Sequence, residues 1–80
     1  MTNKEYQKFC RQIEKPIEKL ARVGMIITLN GKEHRCVGTE DSSYGTRYVF
    51  DNGPSWTASN IVSNIAKCAS LGQEWDFRLQ

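Results

Sequence analysis

The 80-residue sequence lacks most features of a secreted, membrane or disulfide-stapled protein. It has three cysteines, Cys10, Cys36 and Cys68, an odd number with no C-x-x-C pair, so reduced thiols are the simplest interpretation. No apolar run approaches the roughly 20 residues that cross a bilayer, and the first residues lack the apolar centre of a signal peptide. We therefore expect a cytoplasmic protein with no membrane partner.

The excess of positive charge is small and confined to one end of the chain. The formal net charge is +2, and the isoelectric point of about 8.5 lies below the values above about 9 that are typical of dedicated nucleic-acid binders. Residues 1–22, however, hold six basic side chains against three carboxylates, whereas residues 23–80 hold five against six. A polyanion would therefore be attracted to the first segment.

The six basic residues of this segment recur with the period of a helix. Their spacings of four, three, four, four and three residues place them within an arc of about 80°, with apolar residues opposite. We name this set the basic stripe: Lys4, Lys8, Arg11, Lys15, Lys19 and Arg22. A solvated helix face is the alternative interpretation. However, three like-charge pairs four residues apart each cost an isolated helix about 0.2–0.5 kcal/mol, which selection for helix stability alone would avoid.

Local signals predict that this basic amphipathic helix covers residues 1–23. Thr2 and Glu5 match the S/T-x-x-E capping box that starts helices, and Gly24 can end one. Pro16 has no amide hydrogen to donate to the carbonyl of Gln12, so we expect a kink or a break between these residues. A break would rotate one half of the basic stripe relative to the other.

The pattern of residues 24–58 predicts antiparallel strands. An apolar run at Met25–Leu29 precedes Asn30-Gly31, the strongest short signal for a type I′ hairpin turn, so residues 32–37 should return beside it. We expect a polar loop at 39–46, followed by a third strand at 47–51 and a brief pairing segment at 56–58.

Residues 59–71 favour a second helix, with Ser59 as its cap and Gly72 after its end. Their Ser, Asn, Ile and Val content is poor for a helix and leaves a strand as the alternative. Residues 74–79 alternate between apolar and charged side chains, as in a half-buried strand.

These elements predict one α+β domain over residues 1–80. Its small antiparallel sheet has four to five strands, and it is accompanied by the amphipathic N-terminal helix and the second, short helix. The sheet itself, with the helix at 59–71, occupies residues 24–80.

The segment from Met25 to Ile65 resembles an Sm-like or other SH3-like small barrel. A helix precedes a strand that ends in Asn30-Gly31, and Ile61-Val62-Ser63-Asn64-Ile65 follows later; the resemblance covers about half of the chain. It implies that the sheet forms a partly closed barrel. The glycine expected midway along the second strand is displaced to Gly38, so no binding residue is carried over from that family.

No group of residues forms a recognisable catalytic or metal-binding motif. His34 and Cys36 share one side of the predicted second strand, but no third group that would orient a Cys-His pair is evident. The paired ligand spacings of structural zinc sites are also absent. We therefore expect a protein that is not an enzyme and uses no metal or cofactor.

The predicted polar loop is a second candidate binding surface. It contains two carboxylates, two serines and Tyr44, and loops often carry function. A solvated hairpin connection is the alternative, and it is the simpler one. Tyr44 is therefore a candidate partner-binding residue in addition to the six residues of the basic stripe.

Together these features predict a non-enzymatic binding protein whose basic stripe engages a polyanion, most simply nucleic acid or a nucleoprotein complex. An acidic protein surface would suit the same row of cations. The alternative is a small inhibitor of the kind that phages and mobile elements encode, such as an anti-CRISPR protein, which covers a functional surface of a host protein. Steep salt dependence of binding would favour the first hypothesis. The sequence carries no signal for an oligomeric state.

Overall fold

A computed structural model describes residues 1–79, which form two helices and a five-stranded antiparallel sheet. In chain order the elements are α1 (Asn3–Leu20), β1 (Met25–Leu29), β2 (Lys32–Ser42), β3 (Gly45–Phe50), β4 (Ser55–Thr57), α2 (Ala58–Ser70) and β5 (Trp75–Leu79). The strand order is β4-β3-β2-β1-β5, so the apolar β1 has a neighbour on each side. The predicted α+β fold is confirmed. The sheet is not closed into a barrel, because β4 and β5 lie at opposite edges.

The turn between β1 and β2 has the predicted type I′ geometry. Asn30 and Gly31 have φ angles of 53° and 79°, and both central residues of a type I′ turn require positive φ. This turn fixes the register in which Leu29 pairs with Lys32 and Ile27 pairs with His34.

The predicted polar loop at 39–46 is wrong, because most of it is paired strand. β2 continues to Ser42 and β3 begins at Gly45, so only two residues form the turn. Asp41 pairs with Thr46, and the Ser42 hydroxyl donates to the Gly45 carbonyl at 2.6 Å. A register shift between Cys36 and Gly38 shows a β-bulge. At this bulge the regular alternation of buried and exposed side chains along β2 ends.

The first helix ends earlier than predicted but is not interrupted. α1 continues through Pro16, so the predicted break does not occur. It ends at Leu20 because Ala21 adopts extended backbone, which corrects the predicted end at residue 23. Gly24, with φ of 96°, instead turns the chain into β1, and its amide donates to the Cys36 carbonyl at 3.0 Å.

The second helix is confirmed as a helix, with a different cap. Thr57, not Ser59, precedes it: the Thr57 hydroxyl accepts the Asn60 amide at 3.2 Å, and the Asn60 side chain accepts the Thr57 amide at 3.3 Å. At the other end Gly72 has φ of 69°, and the Gln73 amide donates to the Cys68 carbonyl at 2.9 Å. That bond and the left-handed glycine are a Schellman ending.

The core lies between the two helices and one face of the sheet. Its buried residues come from both helices and three strands: Ile13, Ile17, Met25, Ile27, Cys36, Phe50, Ile61, Val62 and Ile65. On the other face, Ile26 and Thr28 are nevertheless only 6% and 5% exposed. Neither described helix is long and apolar enough to cross a membrane.

Candidate functional site

A capping box fixes the start of the helix that carries the basic stripe. The Thr2 hydroxyl accepts the Glu5 amide at 3.2 Å, and the Glu5 carboxylate accepts a hydrogen bond from the Thr2 hydroxyl at 3.0 Å. The hydrogen bonds from Thr2 lower the pKa of the Glu5 carboxyl below its ordinary value, so its negative charge is held at the positive end of the helix dipole. The Glu5 carboxylate is therefore part of the N-terminal cap of α1.

The structure brings five of the six predicted cations onto one exposed helix face. Lys4, Lys8, Arg11, Lys15 and Lys19 are all exposed members of α1, opposite the buried Ile13 and Ile17. At 1.5 Å per residue the row extends for about 22 Å from Lys4 to Lys19.

Arg22 lies beyond the end of α1, which corrects its predicted place on the helix. Its guanidinium donates to the Lys19 carbonyl at 3.2 Å, one of the carbonyls left without a helical partner at the C-terminus. Arg22 is exposed and therefore continues the positive surface past the last turn.

No member of the basic stripe forms an ion pair with a carboxylate in the part of the chain that the structure describes. The ion pairs found among residues 1–79 all involve Arg78, which contacts Glu33 and Asp76 on the sheet. Neighbouring cations of α1 are one helical turn apart and repel each other. Their positive potential is therefore available to an external anion.

Two carboxylates bound the stripe on the side that faces α2. Glu14 and Glu18 line a groove of about 230 Å³ together with Cys10 and Arg11, and α2 forms its other wall through Ala58, Ser59, Val62 and Ser63. These carboxylates would repel a polyanion. The face of α1 that can contact one is therefore limited to the stripe itself.

Tyr44 is placed at the tip of the β2–β3 hairpin, 88% exposed, and not on α1, the helix that carries the basic stripe. It lines a shallow hollow with Arg47, Thr57, Ser59 and Asn60. Ser59 also lines the groove between the helices, so the two hollows adjoin.

Arg47 is a basic residue that the sequence analysis did not single out. Its guanidinium donates to the Ser55 hydroxyl at 3.2 Å and to the Ser55 carbonyl at 3.0 Å. The signal that would place it beside α2 is its pairing with Thr57, which depends on the register between β3 and β4.

His34 and Cys36 occupy structural positions in the sheet. The ring of His34 lies edge-on to Phe50 and tilted against Trp56, and its Nδ1 accepts a hydrogen bond from the Asn52 side-chain amide. The Cys36 thiol donates to the Gly38 carbonyl at 3.3 Å, and burial raises its pKa above the ordinary value. This environment favours the neutral thiol over the nucleophilic thiolate.

The three thiols form no disulfide, and the acidic side chains do not combine with them into a metal site among the described residues. Cys10, Cys36 and Cys68 are free cysteines. Among residues 1–79, no three side chains of the His, Cys, Asp or Glu types come together in a way that could hold a metal ion.

Comparisons with protein-family models, curated proteins and solved structures give no match. The function is therefore inferred from the surface of α1 and its charges.

Proposed function

We propose that this protein is a non-enzymatic, cytoplasmic binding protein that holds nucleic acid against the basic stripe of α1. The observation that carries the proposal is the row of exposed cations on one uninterrupted helix, without a carboxylate partner among residues 1–79. Each phosphate that such a cation neutralises releases counterions, which drives binding.

The chemistry of the row favours nucleic acid over an acidic protein. Protein interfaces are built around desolvated aromatic or aliphatic anchors and are depleted in lysine. Four of the six stripe residues are lysines, and the arc that they occupy contains no apolar side chain. A backbone of evenly spaced phosphates needs no such anchor and matches a straight row of charges.

The same geometry favours binding that is independent of sequence. Lysine and arginine in the row can reach phosphates, whereas base readout requires side chains that enter a groove. The opposite side of α1 is packed in the core through Ile13 and Ile17, which limits how deeply the helix can enter a groove. We therefore expect similar affinities for duplexes of different sequence.

A matched pair of charge-reversed proteins tests the proposal. Lys8→Glu with Lys15→Glu should abolish most binding to a labelled duplex in fluorescence anisotropy, and the slope of log affinity against log salt should fall by about 2. The control, Lys32→Glu with Lys67→Glu, makes the same change of net charge at exposed residues outside α1. It should leave the affinity within about threefold of wild type.

Circular dichroism melting would establish that both variants are folded. Equal losses of affinity in the two variants would mean that net charge, not the stripe, governs binding. If wild type does not bind duplex or single-stranded nucleic acid even at low salt, the proposal is wrong, and an acidic protein becomes the partner to test.

A further inference from the structure

The two edges of the sheet differ in how well they are protected from pairing with another strand. β4 is an edge of only three residues and follows Pro54, and short strands and prolines are common ways to block an edge. β5 is an edge of five residues with neither proline nor lysine. No strand among residues 1–79 pairs with its outer side.

The hydrogen bonds to β1 show which backbone groups of β5 point outward. The Asn30 amide donates to the Glu74 carbonyl at 2.7 Å, and the register continues with Thr28 opposite Asp76 and Ile26 opposite Arg78. Backbone groups alternate in direction along an antiparallel strand. The amides and carbonyls of Asp76 and Arg78 therefore face β1, and those of Trp75, Phe77 and Leu79 face the open edge.

The sequence of β5 is self-complementary about Phe77. If two copies pair antiparallel with Phe77 opposite Phe77, Trp75 faces the partner's Leu79, and these are the residues with outward backbone groups. About six backbone hydrogen bonds would form, two at each of the three facing pairs. On the helix side, apolar residues meet, because Trp75 and Phe77 are half-buried and Leu79 is 40% exposed.

Charges on the other face of the strand are complementary in the same register. Asp76 lies opposite the partner's Arg78, and this pair has no backbone bonds between its members, so its side chains approach closely. Arg78 already contacts Asp76 and Glu33 in its own chain. In the paired arrangement each Arg78 would gain a second aspartate, and no like charges would face each other.

We propose that β5 is a homodimerisation edge, at which two copies of this chain pair antiparallel about Phe77. The product is a continuous ten-stranded sheet with a two-fold axis perpendicular to it, so both pairs of helices lie on the same face. This inference concerns the sheet edge and is independent of nucleic-acid binding by α1.

Amide hydrogen exchange measured residue by residue gives the most direct test. The Asp76 and Arg78 amides should be protected at every protein concentration, because they bond to β1. The Phe77 and Leu79 amides should exchange freely in dilute protein and become protected as the concentration rises, in parallel with a doubling of mass in sedimentation equilibrium.

Charge variants test the register. Asp76→Lys places like charges opposite each other twice in the dimer and should weaken dimerisation about tenfold or more. Glu40→Lys makes the same charge change on β2, away from the edge, and should leave it unchanged. Arg78→Glu alone should weaken dimerisation to a similar extent, because it also places like charges opposite each other twice. Mixing the Asp76→Lys and Arg78→Glu proteins should restore association, since each position then faces the opposite charge.

The backbone can be tested separately with Leu79→Pro. This change removes an outward amide, which β1 does not use, so the fold should remain and dimerisation should be lost. A wild-type protein that stays monomeric at high concentration would overturn the proposal. Association that persists unchanged in Asp76→Lys would also overturn it. Protection of β4 amides together with those of β5 would do the same, because it would indicate head-to-tail pairing of β4 with β5.

Discussion

At the scale of single residues, threonine hydroxyls begin both helices. Thr2 accepts the amide of Glu5, and Thr57 accepts the amide of Asn60, each at 3.2 Å. In both helices the side chain three residues on also accepts from the threonine. Each threonine therefore satisfies an amide that has no partner inside the helix.

We predict that Thr57→Ala lowers the free energy of unfolding by about 1 kcal/mol, because α2 loses its cap. Thr57→Ser, which keeps the hydroxyl, should retain most of the stability. Ser59→Ala is the matched control and should change it little, since Ser59 lies exposed within the helix. Urea unfolding of the three variants measures the differences. Equal losses in Thr57→Ala and Ser59→Ala would contradict the assigned cap.

The two caps differ in how far the sequence could predict them. Thr2 and Glu5 form the common S/T-x-x-E pattern, and the prediction is confirmed. At α2 the third residue is Asn60 and not a glutamate, so the S/T-x-x-E pattern is absent and the prediction of Ser59 as the cap is wrong. Thr57 is selected because its pairing with Arg47 holds it in extended backbone immediately before the helix.

At the scale of elements, α1 shows that a proline inside a helix need not divide it. Pro16 is exposed, and the helix continues on both sides of it. The core contacts of Ile13 and Ile17 flank Pro16 and stabilise both halves against the same surface. The stripe is consequently one row of cations and not two separate ones.

Replacing Pro16 with alanine should stabilise the protein. Pro16→Ala supplies an amide that can donate to the Gln12 carbonyl and replaces the residue type least suited to a helix interior, so we expect the free energy of unfolding to rise by about 1–3 kcal/mol. Pro54→Ala, outside the helices, serves as control. It should be neutral or slightly destabilising, because the loss of proline increases the conformational entropy of the unfolded chain. Thermal melts compare the two. A lower melting temperature for Pro16→Ala would show that the core requires the proline.

The hairpin of β2 and β3 was harder to predict than α1 for a physical reason. Strand prediction depends on alternation between buried and exposed residues, and residues 39–46 are almost all exposed on both faces. Their polar side chains therefore resemble a loop, although Asp41 pairs with Thr46 in the ladder. In contrast, the apolar β1 is buried from Met25 to Thr28, and its predicted bounds are confirmed.

At the scale of the whole molecule, the candidate site divides into a predictable and an unpredictable part. The basic stripe depends only on the period of one helix, so five of its six members fall on one face as predicted. The hollow that joins Tyr44 to Arg47, and the open edge of β5, depend on strand order and register. Those are set by contacts between segments distant in the chain, which local patterns do not encode.

The dimensions of the molecule predict how binding depends on the length of the nucleic acid. The cations of α1 extend for about 22 Å, which corresponds to about 7 base pairs of duplex at 3.4 Å each. The magnitude of the salt slope should therefore rise with duplex length up to about 7–10 base pairs, reach about 4–5, and then stay constant for one bound molecule.

Anisotropy titrations over a series of duplex lengths measure this dependence, at protein concentrations where sedimentation shows a monomer. The Lys8→Glu, Lys15→Glu protein should show little growth of the slope with length, because the middle of its row has lost its positive charge. The longest axis of the molecule is only 34 Å, about 10 base pairs. A slope that continued to rise beyond that length with one protein bound would mean that the nucleic acid bends around further surfaces, and the single-helix interface would have to be abandoned.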